Sequence, residues 1–240
     1  MGQFGLDHLW ENADGVQKSV AMLLVLMSAA SWFVIVNKAL ALVKLQRTAQ
    51  RVRAGFWQAP SLEQAMAGLD SPQECPFARL ARDGLDCASH HDRLKGTLAQ
   101  DIGRPEWIAG GLRASLDESA ARLQAGLSVL ASVSSTAPFV GLFGTVWGIY
   151  HALVAIGLAG QASLDKVAGP VGEALIMTAL GLAVAIPAAL GYNALVRGNK
   201  SVMAALNRFG YDLQAFLLTG ARVGPATTAG STAAAARPAA

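Results

Sequence analysis

Residues 135–153 read STAPFVGLFGTVWGIYHAL, and residues 167–193 read VAGPVGEALIMTALGLAVAIPAALGYN. Both are long apolar runs threaded with glycine, alanine and threonine. They sit largely within two of three stretches that contain no Asp, Glu, Lys or Arg: Ser19 to Asn37, Leu123 to Leu164, and Ala174 to Val196. A helix of about 20 apolar residues crosses the roughly 30 Å of a bilayer's hydrocarbon. The first and third stretches fit one crossing each. The second has length to spare, which predicts a helix projecting beyond the bilayer. The chain is 53% hydrophobic and 15% charged, with a mean hydropathy of +0.39. Soluble domains carry roughly a quarter charged residues. The expected fold is an all-α integral membrane protein with three transmembrane helices.

Charge sets the expected orientation. Asp7, Glu11 and Asp14 precede the first span against one Lys18, and Lys38, Lys44, Arg47, Arg51 and Arg53 follow it. A cleaved signal peptide has a basic segment before its apolar core and a small-residue cleavage site after it; neither is present, so the helix is expected to be retained. Basic residues favour the cytoplasmic side. That puts the segment after the first helix inside, along with Arg197, Lys200 and Arg208, and leaves the turn at Asp165 and Lys166 outside. The expected order is a periplasmic amphipathic segment at 1–15, with Trp10 at headgroup level, and a first span at 16–42. A cytoplasmic helical loop at 43–125 leads to a second span at 126–159. A periplasmic turn at 160–168 leads to a third span at 169–196, a cytoplasmic helix at 197–223 and a disordered tail at 224–240. The N-terminus is out and the C-terminus in, as in a multi-pass protein of a bacterial inner membrane. The net charge of +3 follows from this topology and gives no reason to invoke nucleic acid.

The loop reads as helical. Ser61-x-x-Gln64 after Pro60 has the form of a capping box, Asp70-Ser71-Pro72 stops that helix, and another starts near Pro76. Pro105 suits the first turn of a further helix. From there Ile108, Leu112, Leu116, Leu123, Leu127 and Leu130 recur mostly at helical spacing. The expectation is one unbroken helix of about 50 residues, roughly 75 Å long. Cys75, Cys87, His90 and His91 share this loop, but their spacing matches no standard zinc pattern.

No phosphate loop, metalloprotease helix or nucleophile elbow is present, so neither an enzyme nor a cofactor is expected. The membrane helices instead carry a small and polar stripe. Ser134, Pro138, Gly141, Thr145, Gly148, Ala152 and Ala155 share one face of the second span. Ala174, Thr178, Gly181, Ala185 and Ala188 repeat it on the third. Such a face packs helices closely or lines a narrow cavity, and it can do both. Glu173 is the only acidic residue within the expected spans. A charge at the bilayer centre costs about 2.5–3.5 kcal/mol on insertion scales, so a carboxyl there faces polar surroundings or takes up a proton. An interfacial position close to Asp165 and Lys166 is the alternative. Thr145 and Thr178 read either as cavity groups or as hydroxyls bonded to their own helix. His151, an ionisable ring near the outer end of the second span, reads as a proton relay or an interfacial residue. Pro138 and Pro187 predict local kinks.

The two quoted runs closely resemble the second and third helices of the ExbB/TolQ/MotA proton-channel family. Topology and length extend the resemblance over nearly the whole chain outside the tail. GIYHAL (residues 148–153) and RGNK (197–200) look more like the ExbB branch than the TolQ branch. The resemblance implies a pentameric helical pore around transmembrane helices of ExbD. It also implies use of proton motive force to energise TonB-dependent outer-membrane uptake of siderophores, vitamin B12 or haem. It places Glu173 at the family's intramembrane glutamate and Thr145 and Thr178 at its pore-facing threonines. An essential aspartate belongs to the ExbD partner, so this chain is not expected to hold a complete proton path. Besides ExbD and TonB, the implied partners are membrane lipids and further copies of the chain. A TolQ-type subunit of the Tol-Pal system and a passive membrane scaffold are the alternatives.

Overall fold

The computed structural model describes residues 14–59, 64–65, 75–93, 103–159 and 164–220. The amphipathic segment before Asp14, the start of the capping box at Ser61, the stop at residues 70–72 and the tail from Gly224 lie outside them. The elements are α1 (Gly15–Gly55), a 3-10 turn at Phe56–Gln58, α2 (Pro76–Arg93), α3 (Arg104–Gln124), α4 (Leu127–Ala159) and α5 (Leu164–Thr219). Among the described residues there is no strand. The chain divides into two compact units, residues 1–46 with 122–201 and residues 47–121 with 202–240.

In the first unit, α1 opens on one half of a capping box. Asp14 N–H donates to Gln17 Oε1 at 3.1 Å, and Lys18 N–H donates to the Asp14 carbonyl at 3.0 Å. The first bond satisfies an N–H that a helix start otherwise leaves open, and the second is the first bond of the helix itself. Among the described residues, three helices are long and apolar enough to cross a membrane. Their outward faces carry Phe33, Phe139 and Leu158 at 71%, 70% and 85% exposure. Soluble monomers rarely leave so much contiguous apolar surface in water, whereas lipid covers it at no cost. The inward faces meet in one cluster that includes Leu24, Leu130, Val133, Ala137, Met177 and Ala188.

The helix predicted to run unbroken from Pro105 into the second span is broken at Ala125 and Gly126. Gly126 has φ +80°, a left-handed conformation that costs a residue with a Cβ about 1–2 kcal/mol. It ends α3 as glycine commonly ends helices. In a continuous helix the Arg122 and Leu123 carbonyls would accept from the N–H groups of Gly126 and Leu127. At the break, the Arg122 carbonyl accepts from Lys38 Nζ at 3.1 Å and the Leu123 carbonyl from Asn199 Nδ2 at 2.8 Å. A lysine also suits the negative end of a helix dipole. Side chains from α1 and α5 thus support a joint that the local sequence pattern does not announce.

The second unit packs α2, α3 and the adjoining parts of α1 and α5 around Phe77, Leu80, Ile108, Leu112, Leu206 and Leu213, all nearly inaccessible. Phe209 stacks edge-on with Phe56 and Phe77, at centroid separations of 4.9 and 5.6 Å. Ser115 donates to Asp83 Oδ2 at 2.6 Å, tying α3 to α2. Cys75 is buried and Cys87 half-buried against Gly111. Burial pushes the Cys87 thiol pKa above its ordinary value, and Asp83 and Asp86 add to the effect.

Candidate functional site

The crossing of α4 and α5 organises the candidate residues. A Cβ on Gly141 would stand 2.6 Å from the Met177 carbonyl oxygen and 3.1 Å from the Gly181 Cα. One on Gly181 would stand 2.6 Å from the Ala137 carbonyl oxygen. Further along, Gly144 faces Met177 and Val20, and Gly148 faces Ala174 and the Gln17 amide. The small-residue face expected to serve either packing or a cavity therefore packs at Gly141, Gly148 and Gly181, within one protomer. Pro138 sits half-buried inside α4 without ending it. In the turn before it, Ser134 and Ser135 donate to the Ala131 carbonyl and Thr136 to the Ser132 carbonyl.

The pairings Gly141–Thr178, Gly144–Met177 and Gly148–Ala174 set an antiparallel register. Thr178 stands at the level of Gly141, Thr145 beside the level of Met177, and Glu173 one residue past Ala174. At 1.5 Å per residue, this ladder runs about 7.5 Å along α5 from Thr178 to Glu173, with the level of Thr145 between them. Thr145 is 4% exposed, and its hydroxyl donates to the Leu142 carbonyl at 2.7 Å. The back-bonded reading of that hydroxyl is the observed one, and its oxygen keeps its capacity to accept. Thr178 and Glu173 are both half-buried. A half-buried carboxyl one residue from a tight helix contact is held on its helix without being sealed inside the protomer.

His151 belongs to a different neighbourhood. Its Nδ1 lies 3.2 Å from Asp14 Oδ2, and its ring lies 4.9 Å from that of Trp147. Among the described residues no ion pair joins it to Glu173. The sequence reading missed the groups that hold this end together, Asp14, Gln17 and Trp147. The Asp14-x-x-Gln17 spacing was the signal for the first two. The Trp147 indole Nε1 is buried without a hydrogen-bond partner among the described residues, and nothing in the sequence indicates it.

Comparison with known proteins follows the same lines. The profile of the MotA/TolQ/ExbB proton channel family matches residues 73–208. The biopolymer transport protein ExbB of Xanthomonas campestris pv. campestris (strain B100) is 42% identical over 233 residues, covering 93% of this chain and 92% of that protein. ExbB of Neisseria gonorrhoeae is 39% identical over 211 residues, covering 88% and 96%. The Tol-Pal system protein TolQ of Pseudomonas aeruginosa is 31% identical over 219 residues, covering 88% and 94%.

Proposed function

The chain belongs to the MotA/TolQ/ExbB proton channel family, and from that membership we propose that it is the ExbB-type scaffold of a proton-driven motor. In this reading five copies surround transmembrane helices of ExbD in the inner membrane, N-terminus out and C-terminus in, and the complex energises TonB. Glu173, Thr145 and Thr178 serve the proton pathway. The observation that carries the reading is the ladder on α4 and α5. It consists of two threonines and the only acidic residue of the spans, within about 7.5 Å along α5, with Glu173 and Thr178 half-buried in a single protomer. Groups spaced that way can hand a partner carboxylate from one polar position to the next. Protonation removes the cost of moving that carboxylate past apolar wall, and deprotonation holds it near hydroxyls. His151, paired with Asp14, stands outside this path.

Identities of 34–42% to ExbB proteins against 31–33% to TolQ proteins favour service to TonB over the Tol system. Complementation tests the choice. In a strain lacking its own ExbB and TolQ, the chain expressed with its cognate ExbD should restore siderophore-dependent growth. Restored detergent resistance without restored iron uptake would assign it to the Tol system instead. Restoration of neither, with both proteins inserted and assembled, would leave a passive scaffold.

A further inference from the structure

Two grooves run side by side along the start of α1. One, of about 550 Å³, lies between α1 and α4, with Gly15, Ser19, Val20, Leu23, Phe139 and Phe143 in its walls. The other, of about 390 Å³, is lined by Lys18, Ser19, Met22, Leu23 and Leu26. Ser19 and Leu23 form the ridge between them. The walls are apolar even where the residues are not. The Ser19 hydroxyl donates to the Gly15 carbonyl at 2.8 Å. The Thr136 hydroxyl, also in the first groove, donates to the Ser132 carbonyl at 2.7 Å. Both hydroxyls are satisfied within their own helices, which leaves carbon facing outward.

One cation stands at the head of this surface. Lys18 makes no ion pair among the described residues. The nearby Asp14 carboxylate is engaged by His151. Lys18 also lies at the end of α1 opposite the basic residues that follow the span, so the rule that places those residues inside does not account for it. From Gly15 to Leu23, and from Lys18 to Leu26, is about 12 Å of helix, close to half the roughly 30 Å hydrocarbon thickness. The grooves are therefore about one leaflet deep.

We propose that this face binds one anionic phospholipid, with one acyl chain in each groove, the Ser19–Leu23 ridge between them and the phosphate on the Lys18 ammonium. The site rests on the membrane-spanning character of α1. Only its assignment to the outer leaflet rests on the orientation proposed above. A second copy of the chain is the competing occupant.

Native mass spectrometry of the full-length protein, extracted from nanodiscs of phosphatidylglycerol and phosphatidylethanolamine, tests the site. Lys18→Gln should lower retained phosphatidylglycerol about fivefold, the ratio given by the ~1 kcal/mol that a lysine contributes at an anionic membrane surface. Gly15→Leu should also lower it, because Gly15 has open space around its Cβ position and a leucine there fills the groove without disturbing the fold. Lys200→Gln should leave retention unchanged. Unchanged retention in Lys18→Gln overturns the proposal. So does a Gly15→Leu protein that changes its subunit number while keeping its lipid, since that outcome assigns the grooves to a neighbouring copy. Retention depends on neither orientation nor proton conduction, so a failure here leaves the proposed function standing, and the reverse also holds.

Discussion

A single methyl group decides how closely α4 and α5 approach. Gly141 faces backbone on the other helix, and backbone cannot swing aside as a long side chain does. Gly141→Ala should therefore cost about 1–3 kcal/mol, the usual penalty of overpacking. Gly157→Ala, on the same helix with open space around it, should be neutral or slightly stabilising. Thermal unfolding in mild detergent compares the two, and equal midpoints would contradict the crossing as described. Thr145 asks a different question, because its hydroxyl is bonded within its own helix. Under the proposed pathway Thr145→Ala impairs TonB-dependent uptake, Thr145→Ser keeps part of it, and Thr145→Val fails although it keeps the volume. Full activity in Thr145→Val would remove the hydroxyl from the pathway. The sequence pattern identified this face but could not separate packing from cavity. Helical spacing says which residues share a side, whereas depth depends on how close the neighbouring helix comes.

Among the elements, the three apolar helices were legible because lipid demands something periodicity need not supply: long runs without charge. The joint at Gly126 was not. Gly110 and Gly111 lie inside α3 without interrupting it, yet Gly126 ends it. What differs is remote in sequence: Lys38, 84 residues away, and Asn199, 76 residues away, hold the carbonyls at the break. A local reading of the chain has no access to either donor. Lys38→Met should accordingly speed hydrogen exchange in peptides covering residues 122–129 while leaving those of mid-α4 unchanged. Exchange indistinguishable from wild type would mean that the lysine does not support the joint. Gly126→Ala should cost about 1–2 kcal/mol at the same place, from the left-handed conformation it must adopt.

At the scale of the whole molecule, composition was enough to assign the class, and two quoted runs were enough to suggest the family that the comparisons then established. The partner sites were out of reach, since the proposed motor places its titrating aspartate on another chain. Orientation is checked by cysteine labelling. A cysteine at Ser163 should react with an impermeant reagent in intact cells, and one at Ser89 only after the inner membrane is opened; the reverse pattern would invert the topology. In the proposed motor, protons move through a pathway that uses the ionisation of Glu173. Glu173→Gln keeps size and hydrogen bonding but removes that ionisation. The direct measurement is siderophore-dependent growth of a strain lacking its own ExbB and TolQ, with insertion, assembly and ExbD binding verified in parallel. Glu173→Gln should assemble normally and abolish growth. Normal growth at wild-type protein levels would contradict it.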